Sequence, residues 1–156
     1  MKTPINSFQK LLLFTFLICV LTQCSSQSSQ NEEHPDINYI NSDGRIDYNK
    51  LLQEAANETN KGCPMMADKE TRFDNCSFSK SDYVFRYNYT LVNQTKSNID
   101  IKYLTNYITP ILINAARTNP NMKDFLKSNV TLCYYYNDKN GDFLMQIFIT
   151  PEQYTK

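Results

Sequence analysis

From Asp82 to Val92 the chain alternates Tyr83, Phe85, Tyr87, Tyr89 and Leu91 with Arg86, Asn88 and Thr90. Successive side chains of a strand leave opposite sides of the backbone, so a period of two predicts a strand buried on one side only. A slip of one residue would turn four aromatic rings out to water, which fixes the register tightly. The rest of the chain must therefore supply partner strands and a layer to cover that apolar row.

Two further stretches fit as strands. Val130, Leu132, Tyr134 and Tyr136 alternate with Thr131, Cys133 and Tyr135, and Phe143, Met145, Ile147 and Ile149 alternate with Leu144, Gln146 and Phe148. Asn140-Gly141 between them is the strongest short turn signal for a β-hairpin. A short strand over Thr71 to Asp74 is expected to pair with Tyr83 to Val92, with residues 75–81 as loop. The covering layer comes from helices. Asp47 caps a helix over Tyr48 to Asn60 that buries Leu51, Leu52 and Ala55 and stops at Lys61-Gly62. Ile101, Leu104, Ile108, Ile111 and Ala115 form one apolar face of a second helix, which Pro110 should kink, or restart with Thr109 as cap. Asn119-Pro120 opens a short helix through Lys127 that buries Met122, Phe125 and Leu126. The expected fold is α+β: a two-layer, four-stranded antiparallel sheet with helices on one face, in the order α-β-β-α-α-β-β.

The 156 residues leave room for a single domain once the N-terminal segment is set aside. Met1 to Lys10 carries two lysines and no acid, and Leu11 to Leu21 is an apolar run of eleven residues, too short to span a membrane. Leu21-Thr22-Gln23-Cys24 then resembles a bacterial lipobox, which implies cleavage before Cys24 and acylation of its sulfur. Gln23 stands where a small residue is usual, so ordinary cleavage after Cys24, with Thr22 and Cys24 as the small residues, is the alternative. Residues 1–23 are expected to be a lipoprotein signal peptide, 24–45 a polar tether and 46–156 the single α+β domain.

Without Lys2 and Lys10 the chain holds 14 basic and 16 acidic residues, a net charge of about −2. That excludes a basic footprint for nucleic acid. The single histidine, His34, falls in the tether, which leaves the domain without a histidine triad or multi-histidine metal site, and no cofactor is expected. Two loops mimic calcium sites, around Gly44 and Gly141. Counted on the EF-hand pattern, their twelfth positions are Lys50 and Ile147, where a carboxylate is required.

Cys63, Cys76 and Cys133 lack Cys-x-x-Cys spacing, and in an oxidising compartment two of them are expected to form a disulfide, by any of three pairings. Asp68, Arg72 and Asp74 are the charged residues of the most motif-like block. Arg72 could bind a carboxylate or phosphate, or pair with an aspartate to fix the strand entry. Tyr135 is a candidate for an aromatic binding face. Five Asn-x-Ser/Thr sequons, at Asn57, Asn75, Asn88, Asn93 and Asn129, read as chance in an asparagine-rich bacterial chain.

The string Pro64-Met65-Met66-x-Asp68-x-x-Thr71-Arg72-x-Asp74, then Tyr87-x-Tyr89-Thr90-Leu91, Pro110-x-Leu112, Asn119-Pro120-x-Met122 and Asn129-Val130-Thr131-Leu132, resembles a family of small exported bacterial proteins with no established activity. The resemblance spans about residues 55 to 150 and implies an architecture rather than a mechanism. The leading functional expectation is a membrane-anchored, non-enzymatic lipoprotein that binds a protein partner in the cell envelope, as an assembly factor or an inhibitor. The alternatives are an enzyme using Cys63 or the Asp68, Arg72, Asp74 group, and a small-ligand binder on the aromatic sheet face.

Overall fold

A computed structural model describes residues 39–155, apart from the side chains of Asn121 and Asp124. The expected signal peptide, Cys24, His34 and the expected tether as far as residue 38 lie outside the described residues. A turn closed by an Ile40 to Ile46 bridge leads into helix α1, Tyr48–Asn60, where the Asp47 carboxylate accepts from the Lys50 amide at 3.1 Å. Strands β1 (Met65–Met66), β2 (Thr71–Ser79) and β3 (Val84–Leu91) follow. Helix α2 runs over Ile101–Thr118, a 3-10 turn over Pro120–Met122 and a short α3 over Lys123–Leu126. The chain then forms β4 (Thr131–Asn137), β5 (Phe143–Ile149) and a terminal turn of helix α4 (Pro151–Tyr154).

The sheet has five strands in the order β1-β2-β3-β4-β5, which corrects the expected four. It is also mixed: β3 and β4 run parallel, and the other pairs are antiparallel. The two hairpins were foreseen as one antiparallel sheet, but the helix between them decides otherwise. Eighteen residues at 1.5 Å each make α2 about 27 Å long, enough to carry the chain back along a strand of this length. The chain thus enters β4 at the end where it entered β3, and Val84 pairs with Thr131 as Tyr89 pairs with Tyr136.

The other departures are local. A bulge between Phe73 and Asn75 shifts the β2 register, so the strand continues to Ser79 with Cys76 and Phe78 turned inward, where the sequence predicts a loop. A second irregularity between Tyr136 and Asn137 buries Leu144 and leaves Phe143 42% exposed. The helix α2 runs through Pro110 without restarting there. Asn106, whose carbonyl loses its partner at Pro110, is exposed, so water can serve that oxygen. Its buried stripe proceeds as Ile108, Leu112 and Ala116 rather than through Ile111 and Ala115.

One core lies between the helices and the inner face of the sheet. It takes Leu52 and Ala56 from α1, the α2 stripe, Phe73 and Cys76 from β2, Phe85, Tyr89 and Leu91 from β3, Leu132, Tyr134 and Tyr136 from β4, and Met145, Ile147 and Ile149 from β5. Parallel pairing sets Tyr87 on Tyr134 and Tyr89 on Tyr136, stacked with centroids 5.2 and 5.1 Å apart. Each such pair adds about 0.5–1.5 kcal/mol beyond the area it buries. Burial raises the pKa of all four phenols.

Asp138, only 1% exposed, ties the β4–β5 turn to the segment before α2. Its carboxylate accepts from the amides of Asn140 at 2.7 Å, Asp142 at 3.0 Å and Lys96 at 3.0 Å. Desolvation would raise its pKa, but these backbone donors outweigh it and the value is lowered. A depressed folded pKa means that the contribution is complete above the ordinary value of 3.8 and is lost as pH falls through the lower folded value. Asp138→Ala should therefore speed hydrogen exchange at Lys96, Asn140 and Asp142 while the amide of Leu132 stays protected. Unchanged rates at Lys96 would show that the bridge contributes nothing.

Candidate functional site

The outer face of the sheet carries the second row of each strand, and no helix among the described residues lies against it. From β2 come Arg72, Asp74, Asn75 and Ser77, and from β3 Thr90, Asn88, Arg86 and Val84. Asn137, Tyr135, Cys133 and Thr131 follow on β4, with Phe143, Gln146 and Phe148 on β5. The row changes character across the sheet, polar over β2 and β3 and aromatic over β4 and β5.

Over the polar half, Arg72 Nε donates to Asp74 Oδ1, while Thr90 Oγ1 donates to Asp74 Oδ2 at 2.6 Å and lies 3.5 Å from Arg72 Nη2. Arg72 and Asp74 thus pair as a strand clamp, with the arginine side chain 44% exposed. The Asn88 amide donates to Asn75 at 2.7 Å, so two of the sequons face each other across β2 and β3. Asp68 does not join this group. Its Oδ1 accepts from the Glu70 and Thr71 amides at 2.7 and 2.8 Å, closing the turn between β1 and β2, and its charge acts on Tyr136 of the inner face.

Over the aromatic half, the Arg86 guanidinium lies 5.3 Å from the centroid of Tyr135, and Phe143 packs against the same ring at 5.0 Å. Phe148, the cross-strand neighbour of Cys133, is 44% exposed, and Gln146, opposite Tyr135, is also exposed. The structure therefore brings Arg72, Asp74 and Tyr135 onto one surface and adds Arg86, Gln146, Phe143 and Phe148, which the sequence reading passed over. The alternation of Arg86 against Phe85 and of Phe148 against Ile147 holds the signal. What was missing was the β3–β4 register that makes Arg86 and Tyr135 neighbours.

Cys63, Cys76 and Cys133 all stand as free thiols in this structure. Cys133 sits in the outer row and Cys76 in the inner one, so the sheet itself separates them. Burial raises the pKa of Cys63, and the charge of Asp74 raises it further. A nucleophilic cysteine needs the reverse, a base or cation that favours thiolate.

The family model described as "Domain of unknown function (DUF8479)" matches residues 47–145, the body of the fold just described. No curated protein matches the chain in sequence. Among solved structures, the chain is similar to a Pseudomonas aeruginosa protein described as secreted, with a TM-score of 0.56 at 11% identity over 68% of this chain and 91% of that one. The type 2 secretion system pilotin EpsS of Vibrio vulnificus superposes with a TM-score of 0.54 at 9% identity over 70% and 93%. The type II secretion system pilotin AspS of Vibrio cholerae gives 0.51 at 8% over 68% and 91%. At such identities the likeness is one of fold.

Proposed function

This chain belongs to the DUF8479 family, and we propose that it is a lipid-anchored envelope protein whose outer sheet face binds a protein partner. Cys24 is the anchor, residues after it are the tether, and the domain works as a non-enzymatic assembly factor or inhibitor. The observation that carries this reading is the outer face itself, where the exposed Arg86, Phe143 and Phe148 cluster around or beside the half-buried ring of Tyr135, next to a polar rim. Tyrosine and arginine are among the side chains that dominate protein interfaces, because they bury large areas while keeping polar ends satisfied. Two of the similar folds are pilotins of a type 2 secretion system, which favours an assembly role over inhibition. No described helix is long and apolar enough to cross a membrane.

The combined variant Tyr135→Ala, Phe148→Glu removes the ring at the centre of the cluster and puts a charge at its margin. Loss of an interface anchor costs about 2 kcal/mol or more, so capture of the cognate partner from solubilised envelopes should weaken roughly 30-fold or more while the fold remains stable. Equal capture by the variant would remove this face from the proposal. A small apolar or glycan ligand on the same aromatic cluster is the second reading. Retained binding of such a compound, with no protein captured by the parent chain, would favour it.

A further inference from the structure

Cys63 and Cys76 meet where the C-terminal turn of α1 lies on β2. Cys63 Sγ donates to the Thr59 carbonyl at 3.4 Å, and Cys76 Sγ donates to the Ala56 carbonyl at 3.7 Å. Ala56 and Thr59 are three apart and so lie on one side of the helix. The Thr59 side chain also bonds the Cys76 sulfur, and the charge of Cys63 reaches Cys76 and raises its pKa. The backbone around them is held in place: the Asn60 amide side chain donates to the Cys76 carbonyl and accepts from the Cys76 amide, both at 2.8 Å, while the Cys63 amide donates to the Asn60 carbonyl at 3.1 Å. One helical turn thus positions both cysteines.

We propose that Cys63 and Cys76 are a built disulfide site, closed by a thiol-disulfide oxidant of the envelope, with Cys133 left as a permanent thiol behind the sheet. The chemistry follows from exposure. Cys63 is half-buried and Cys76 is buried, its pKa pushed up to about 12 by desolvation first, with the Cys63 charge adding and the Thr59 bond opposing. Cys63, the more accessible sulfur, therefore attacks first, through the minor thiolate fraction that its raised pKa leaves. Its thiolate displaces one sulfur of the oxidant's disulfide as a thiolate and forms a mixed disulfide; Cys76 then gives up its proton and attacks Cys63 Sγ, expelling the second oxidant sulfur. Two electrons and two protons pass to the oxidant, which leaves as a dithiol. The finished bond ties the segment just after α1 to β2 across a loop of about a dozen residues. Constraining the unfolded chain in this way should raise the unfolding midpoint by roughly 10 °C or more.

That the bond is closed in the cell rests on the export reading; that these two sulfurs can close does not. The full chain, purified reduced, is exposed to oxidised glutathione, alkylated after unfolding, and mapped by non-reducing peptide mass spectrometry. The expected product joins the peptides of Cys63 and Cys76, leaves Cys133 alkylated, melts at higher temperature than the reduced form, and persists in Cys133→Ser. Glutathione adducts without closure, or links through Cys133, would overturn the pairing. The same map on protein taken from cells separates the two premises. A link that forms with glutathione but is missing in the cellular protein would count against export and leave the pairing intact.

Discussion

Phe73→Ala is expected to destabilise the domain by about 3–5 kcal/mol, the range for truncating a fully buried phenylalanine. Phe73 is completely buried, on the strand against which α1 packs, and its ring meets Tyr89 at 5.2 Å and Tyr87 at 6.2 Å. Because its neighbours are held by stacking on Tyr134 and Tyr136, they cannot collapse into the space left behind, and the loss should lie toward the upper end. Phe148→Ala, on the other face of the same sheet and 44% exposed, should change stability by less than about 1 kcal/mol. Urea unfolding of the two variants compares the faces directly. Equal losses would mean that the outer face is covered as well as the inner one.

Cys24→Ser is expected to move the protein from the membrane to the soluble fraction almost completely. Each buried methylene of an acyl chain contributes about 0.8 kcal/mol, so two or three chains make attachment effectively permanent, and the variant loses that contribution. Membrane fractionation with intact mass of parent and variant reads this. The parent should carry an acylated N-terminus at Cys24 and sediment with membranes, and the variant should do neither. A soluble parent that begins at Ser25 would instead mean that Cys24 was only a cleavage-site residue.

Local signals in the sequence carried most of the elements. The Asp47 cap and the Leu51, Leu52, Ala55 spacing identified α1 with its bounds Tyr48–Asn60, because a cap and a 3.6-residue period are both written in neighbouring residues. Asn140-Gly141 marked the second hairpin, where Gly141 takes φ +88°. Non-local facts were not legible. The two-residue strand β1 is too short to show any period, and the bulge at Phe73 and Asn75 breaks the alternation that would have extended β2. The parallel β3–β4 join depends on where α2 returns the chain, which no window of residues records.

The same limit applies to the site. Arg72 and Asp74 were visible as a pair two residues apart, but Arg86 and Tyr135 are 49 positions apart in the chain and become neighbours only through β-strand register. Thr90, which completes the Arg72–Asp74 clamp, is likewise supplied by the partner strand. Asp68, counted with them from its spacing, instead closes a turn, since its carboxylate is taken by two amides of its own loop.

The central claim is that the outer sheet face meets a protein in the envelope. A photoreactive amino acid placed at Gln146, exposed on that face, or at Asn106, exposed on α2, tests it most directly in living cells. The proposal predicts one discrete, heavier adduct from position 146, lost on adding Tyr135→Ala with Phe148→Glu, and none from position 106. Adducts from position 106 alone would contradict it and move the interface to the helical layer.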